Sequence, residues 1–265
     1  MIVFMIVSNV SIGSRLDRLE QATRLGPSGS DTSPEPFSWN PALQTAFGRL
    51  PLLGGQLDLG ASGLYLVGVR NPGLQSTLAA NCVHDALEAD KGRVLFASSR
   101  LGQERLGRLL LSLQAEANWD SLDEAGQNEV LRRLEPQLRR YEDLLYVLAD
   151  LDAEAAVGSW LEESREAPPR VVILDDPRGL DEADLYLERL RMLTEKSCVP
   201  FVLLVPSQDS GHFTRWQTVR AEAFTAILEA QSQDGRVTLR EGTASLALDA
   251  ASGRLTSTSR ETVAR

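Results

Sequence analysis

Residues 63–90, GLYLVGVRNPGLQSTLAANCVHDALEAD, contain the feature that decides how this chain folds. An apolar run of strand length precedes a short segment with glycine and proline, and a segment typical of a helix follows. This order is the layout of a phosphate-binding loop, in which backbone N–H groups and a helix N-terminus face an anion. Such a loop also needs a lysine for the phosphate charge and a hydroxyl for Mg²⁺. The stretch contains no lysine.

Two alignments with the G-x-x-x-x-G-K-[ST] pattern of such loops are open. In the first, Gly68 and Gly73 are the two glycines. Leu74 then stands at the lysine position and Gln75 at the hydroxyl position.

In the second alignment, Ser76 supplies the hydroxyl, Gln75 stands at the lysine position and Leu74 replaces the second glycine. This alignment agrees better with the start of the helix, because Ser76 and Thr77 are residues that open helices. An ordinary strand-to-helix loop also accounts for the stretch when it is considered alone.

Two further apolar strands end in polar side chains that could serve a nucleotide. RVVILDD (170–176) ends in carboxylates, and Asp175 is at the position of a carboxylate that holds a Mg²⁺-bound water. VPFVLLVPSQ (199–208) ends in Ser207 and Gln208, which could sense a γ-phosphate. Capping of a turn or exit from a strand explains each equally simply. All three features follow strands, at the edge where open α/β sheets bind ligands.

The periodicity of the rest of the chain predicts an α/β fold. Strands without polar alternation, separated by helices, indicate a parallel sheet that is buried on both faces. Residues 123–151 are predicted as one or two helices broken at Pro136. Short strands between residues 223 and 257 predict an antiparallel extension of the sheet. Residues 1–40 are predicted as an arm and linker, and residues 41–265 as the domain.

Composition narrows the class of protein. The net charge of -10 argues against a protein that coats duplex nucleic acid by itself. Cys82 and Cys198 resemble core residues of a reducing compartment, and neither they nor the histidines have the spacing of a metal site. MIVFMIV (1–7) is too short to span a bilayer and lacks a signal-peptide pattern, so we expect a cytoplasmic protein with no membrane partner.

In order and spacing, these segments resemble the C-terminal ATPase domain of the bacterial replicative DNA helicase (DnaB-type), within the RecA-like superfamily. The resemblance covers roughly residues 41–257. The matching segments are 63–87 for the phosphate loop, 93–122 for the segment of the catalytic glutamate, 171–176 for the Walker B strand, 199–208 for the sensor strand and 236–257 for the strands with the intersubunit Lys-x-Arg finger. The resemblance implies a RecA-like P-loop NTPase fold.

Departures from the family pattern fall on the groups that perform its chemistry. The Gly-Lys-Thr of the loop falls on Leu74, Gln75 and Ser76, and the catalytic glutamate falls on Arg100. The finger lysine falls on Thr238. The residues that remain are Arg70 before the loop, Asp175, Gln208 and Arg240.

The resemblance with these losses predicts a binding or scaffolding protein of DNA replication, repair or recombination that does not hydrolyse ATP. An arginine remains protonated and cannot act as a base. We expect no cofactor and a protein partner or homo-oligomer. Two alternatives are a divergent ATPase that binds ATP and Mg²⁺ through an arginine, and a regulatory RecA-like protein with no nucleic-acid role.

Residues 211–220, GHFTRWQTVR, correspond in position to a DNA-facing loop of the helicase family. His212, Arg215, Trp216 and Arg220 could stack on and neutralise single-stranded DNA. A mobile loop with one packing tryptophan is the alternative.

Overall fold

The computed structural model describes most of the chain after residue 48. The described residues are 49–60, 62–89, 92–149, 153–164, 167–175, 183–207, 212–219, 221–233, 236–240 and 244–257. The predicted arm and linker therefore lie outside the described residues.

Helices and strands alternate over most of the described chain. The helices are α1 (Pro72–Glu88), α2 (Gln103–Ala115), α3 (Glu124–Leu144), α4 (Ala153–Glu163), α5 (Ala183–Ser197) and α6 (His212–Val219), with short 3-10 turns at Trp119–Ser121 and Ala221–Ala223. The strands are β1 (Leu50–Leu52), β2 (Leu57–Leu59), β3 (Gly63–Val69), β4 (Arg93–Ser98), β5 (Leu145–Ala149), β6 (Pro169–Asp175), β7 (Pro200–Pro206), β8 (Ala226–Gln233), β9 (Arg236–Arg240), β10 (Ala244–Leu248) and β11 (Leu255–Ser257).

A nine-stranded sheet forms the centre of the fold, with the strand order β11-β10-β9-β8-β3-β7-β6-β4-β5. The six strands from β8 to β5 in that order are parallel. Strands β9, β10 and β11 add in antiparallel fashion beyond β8. The predicted class is confirmed: a largely parallel sheet, flanked by helices, with an antiparallel edge.

Two sequence-based assignments need correction. The sequence pattern places β8 within the antiparallel extension, but this strand pairs parallel to β3 because α6 carries the chain back across the sheet before β8 begins. The pattern also predicts a helix over residues 123–151 that is broken at Pro136. Instead α3 continues through Pro136, and residues 145–149 form β5 beside β4.

Packing explains why α3 is not broken at its proline. Leu134, Leu138 and Tyr141 lie on one buried face of α3 on both sides of Pro136. Tertiary burial of that face outweighs the local cost of the proline. After Leu144 the apolar sequence LYVLA joins the edge of the sheet as β5.

Both faces of the sheet are covered by apolar layers. One layer joins the sheet to α1, α2 and the β1–β2 hairpin, and the other joins it to α4, α5 and α6. Strand β6 is buried along its whole length, as the absence of polar alternation predicts. Among the described helices, none is both long enough and apolar enough to cross a membrane.

Candidate functional site

The connection between β3 and α1 is much shorter than the predicted phosphate loop. Strand β3 ends at Val69 and α1 begins at Pro72, which leaves Arg70 and Asn71 between them. The prediction that Ser76 and Thr77 open the helix is wrong, because both lie inside it. The Gln75 N–H already donates to the Asn71 carbonyl at 3.1 Å, and Pro72 has no N–H. Few backbone donors remain to surround an anion.

The two glycines of the first alignment have different surroundings. A Cβ atom at Gly68 would lie 2.3 Å from Phe213 Cε2 of α6, so close packing of α6 on β3 requires a glycine there. A Cβ atom at Gly73 would meet no atom within 4 Å. Neither glycine lies in a left-handed backbone conformation. The helix packing therefore accounts for Gly68 without a ligand.

Asp175 is at the end of β6 with none of its side-chain surface exposed. Its Oδ1 accepts a hydrogen bond from Gln75 Nε2 at 2.9 Å, and its Oδ2 accepts one from the Ser98 hydroxyl at 2.7 Å. Gln75 Nε2 also lies 3.3 Å from the Leu204 carbonyl. The residue that replaces the P-loop lysine is thus held against the Walker B-like carboxylate, inside the protein.

Arg100 completes this polar cluster. Its Nη2 lies 3.0 Å from Asp175 Oδ1 and 3.1 Å from Oδ2, and its Nη1 donates to the Ser76 hydroxyl at 2.7 Å. The Ser98 hydroxyl accepts the N–H groups of Arg100 at 3.1 Å and Leu101 at 2.6 Å. We call Gln75, Ser76, Ser98, Arg100 and Asp175 the Arg100 cluster.

The Arg100 cluster leaves no place for a magnesium ion. Mg²⁺ takes oxygen ligands and is usually held by a carboxylate together with phosphate oxygens. Here both oxygens of Asp175 already accept hydrogen bonds, and the guanidinium lies between this carboxylate and the Ser76 hydroxyl. No group of three or more possible ligands from His, Cys, Asp and Glu occurs among the described residues. The residues present therefore do not fit a magnesium–nucleotide complex.

A second ion pair lies farther along the same edge of the sheet. Arg70 Nε donates to Glu229 Oε1 of β8 at 2.8 Å, and Ser207 Oγ lies 3.4 Å from the same oxygen. The hydrogen bond and charge of Glu229 raise the pKa of Arg70. Arg70 and Arg100 are therefore each engaged by a carboxylate of the same chain.

Sequence reasoning missed two residues of these clusters, Ser98 and Glu229. Each lies on a strand near the carboxyl edge of the parallel sheet. The position of Ser98 at the end of β4 was a usable signal, because polar side chains at strand ends meet at that edge. Glu229 was hidden by the assignment of β8 to the antiparallel part.

The remaining predicted residues are scattered. Leu74 is buried in the core, and the Thr77 hydroxyl donates to the Gly73 carbonyl within α1. Gln208 and Arg220 lie outside the described residues. The backbone of α6 and β9 is described at the other predicted contacts, but the side chains of His212, Arg215 and Arg240 are not.

Trp216 requires a correction. The sequence presents it as a residue that could stack on a DNA base, yet it is 0% exposed and its ring lies 6.0 Å from that of Phe224. The segment is the helix α6 rather than a loop. Trp216 and Phe213 both face the core, so this tryptophan cannot reach a nucleic acid in this conformation.

Comparison with known proteins gives a structural likeness at low sequence identity. No protein-family model and no curated protein matches the chain. The solved structure of the ATPase domain of a DnaB helicase matches with a TM-score of 0.61 and 14% identity, over 75% of this chain and 85% of that one. A DnaB-like replicative helicase, described with its interactions with primase, matches with a TM-score of 0.56 and 12% identity, over 96% of this chain and 74% of that one.

These matches confirm the fold that the sequence resemblance implied. The chain has the RecA-like fold of the ATPase domains of DnaB-like replicative helicases. At such low identity the likeness concerns architecture, and function has to be argued from the site.

Proposed function

We propose that this protein is a RecA-like binding or scaffolding protein that does not hydrolyse ATP and that acts in DNA replication, repair or recombination. The observation that supports the proposal best is the contact of Arg100 with Asp175 and Ser76, which occupies the position where a nucleotide and its metal would be expected. The fold then serves as a rigid surface for a partner.

The chemistry of the Arg100 cluster supports the absence of hydrolysis. The segment 63–90 supplies no lysine, and the Gln75 amide is committed to Asp175 and the Leu204 carbonyl. Arg100 stands where the resemblance places the catalytic glutamate, and a guanidinium cannot take a proton from water at neutral pH. Loss of one stabilising group typically lowers a rate by roughly 10²–10³, and two kinds of group are lost here.

An ATPase assay with a binding measurement tests this proposal. We expect no hydrolysis above the buffer rate with Mg²⁺ and ATP, and no thermal stabilisation by ATP at millimolar concentration. Asp175→Asn serves as the matched variant. Hydrolysis or saturable stabilisation that Asp175→Asn removes would instead support the divergent ATPase that uses an arginine.

The role in DNA metabolism rests on the fold and on the kind of protein that shares it. The similar helicase structure is described with its interactions with primase. We propose that this chain likewise binds a protein partner, or further copies of itself. Affinity capture with purified replication and recombination proteins, at defined salt, tests this role, and failure with every one of them counts against it.

A second candidate function is a regulatory role without nucleic acid. The burial of Trp216 and Phe213 favours it, because these aromatic side chains cannot form a stacking platform. Titration with a fluorescent single-stranded oligonucleotide at low and high salt separates the two candidates. Salt-dependent binding supports a direct DNA role, and absence of binding at low salt supports the regulatory role.

A further inference from the structure

The outer edge of β5 carries a feature that the proposed function does not use. Strand β5 is last in the sheet order on its side, and in the described part of the chain it pairs with β4 alone. Its sequence, LYVLA, has no charge, proline or glycine that would discourage further pairing. The other end of the sheet is the three-residue strand β11, so β5 is the longer of the two edges.

Aromatic and arginine side chains lie beside this edge. The rings of Tyr146 and Trp160 have centroids 4.9 Å apart at an angle of 58°. Arg93 Cζ lies 5.5 Å from the centroid of Tyr146. All three residues are partly exposed. Tryptophan, tyrosine and arginine are the residue types that dominate the energetics of protein–protein contacts.

Both faces of β5 continue the apolar layers of the sheet. Val147 packs against the layer with α1 and α2, and Tyr146 packs against the layer with α4 and α5. A strand added outside β5 would therefore lie between two apolar layers. Its sequence should be apolar without alternation, as in strands buried on both faces.

We propose that residues 1–7 of this chain, MIVFMIV, pair with the outer edge of β5 as a tenth strand of the sheet. The segment is apolar at all seven positions and fits the five-residue edge in length. An uncharged segment of this kind aggregates when it is left exposed, so a place in a sheet protects it.

The connecting chain is long enough for this pairing. Residues 8–49 link the segment to β1. An extended chain of that length spans more than roughly 100 Å, which exceeds the size of the domain. This strand addition is independent of the proposed function, because it involves no residue of the Arg100 cluster.

Hydrogen exchange of the full chain tests the proposal. The comparison variant replaces residues 2–7 with a glycine–serine sequence of equal length. We expect the β5 amides that do not bond to β4 to exchange at least about tenfold faster in the variant, with β6 and β7 unchanged. Equal exchange of β5 in the two proteins overturns the proposal, as does a loss of protection confined to β11.

A cross-linking measurement on the otherwise unchanged chain decides the matter if the variant does not fold. A photoreactive benzoylphenylalanine at position 4 replaces Phe4, and the same group at position 32 replaces Thr32 as the control. We expect position 4 to cross-link to the peptide that contains residues 145–149, and position 32 not to. Cross-links from position 4 that map elsewhere contradict the pairing.

Discussion

Arg100 Nη2 lies 3.0 Å from Oδ1 and 3.1 Å from Oδ2 of Asp175, so the loop after β4 neutralises the carboxylate at the end of β6. The carboxylate is fully buried, whereas 24% of the Arg100 side chain is exposed. A ligand that requires Asp175 would have to displace an ion pair that the chain has already formed. This contact is the central difference between the site and a working nucleotide site.

Removal of the guanidinium should destabilise the fold. Arg100→Ala leaves Asp175 buried without its cation, and we expect the free energy of unfolding to fall by about 3 kcal/mol, because an unpaired buried charge is costly. Urea unfolding measures the change. Arg105→Ala, at an exposed position on α2, is the control and should change stability by less than about 0.5 kcal/mol. Equal stability of the two variants would show that the pair contributes nothing.

The two glycines should respond oppositely to alanine. In Gly68→Ala the new methyl group meets the Phe213 ring, and we expect a loss of about 2–3 kcal/mol. In Gly73→Ala the methyl group points into open space within α1, and we expect a gain of up to about 1 kcal/mol. Thermal unfolding of both variants measures this contrast. A large loss for Gly73→Ala would indicate a constraint on the backbone that packing does not explain.

Asn81 should hold the last hairpin of the sheet to α1. Its Nδ2 donates to the Gly253 carbonyl at 2.9 Å, and its Oδ1 accepts the Leu255 N–H at 2.9 Å. We expect Asn81→Ala to cost about 2 kcal/mol, because buried backbone groups lose their partners. The amides of β10 and β11 should exchange faster in this variant than in the exposed control Asn128→Ala. Protection that is unchanged at β11 would mean that apolar packing alone holds the hairpin.

Tyr141 should make stability depend on pH in the alkaline range. Burial raises the pKa of Tyr141 well above its ordinary value, and its hydrogen bond to Glu88 adds to this effect. Above about pH 10 the unfolded chain loses the phenol proton while the folded chain keeps it, so stability falls as pH rises.

The matching variant is Tyr141→Phe. It loses the hydrogen bonds to Glu88 and Gln114, and should be less stable by about 1–2 kcal/mol at neutral pH. Because phenylalanine does not titrate, the difference from the unchanged protein should narrow between about pH 9 and about pH 11. Urea unfolding across that range measures it, and a difference that stays constant or widens contradicts the assignment.

The architecture was more predictable from sequence than the site. Uninterrupted apolar strands such as β6 and β7 indicate a buried parallel sheet, because no alternation can serve a strand covered on both faces. Strand β5 was missed because it follows α3 directly and local periodicity cannot separate the two. Pro136 was misleading because burial of one helix face exceeded a local penalty.

At the site, the sequence predicted that Gln75, Ser76, Arg100 and Asp175 belong together, and the structure brings them into contact. It did not predict that they bind one another, since this depends on the rotamer of Arg100 and on the two-residue connection before α1. The burial of Trp216 was equally hidden, because the spacing of Phe213 and Trp216 fits a buried helix face as well as a stacking surface.

A crystal structure obtained after soaking with a non-hydrolysable ATP analogue and Mg²⁺ tests the central claim most directly. The Arg100 cluster predicts density for the guanidinium against Asp175 and Ser76, with no nucleotide beside residues 70–77. Phosphate density beside Ser76, with Arg100 turned away from Asp175, would contradict it.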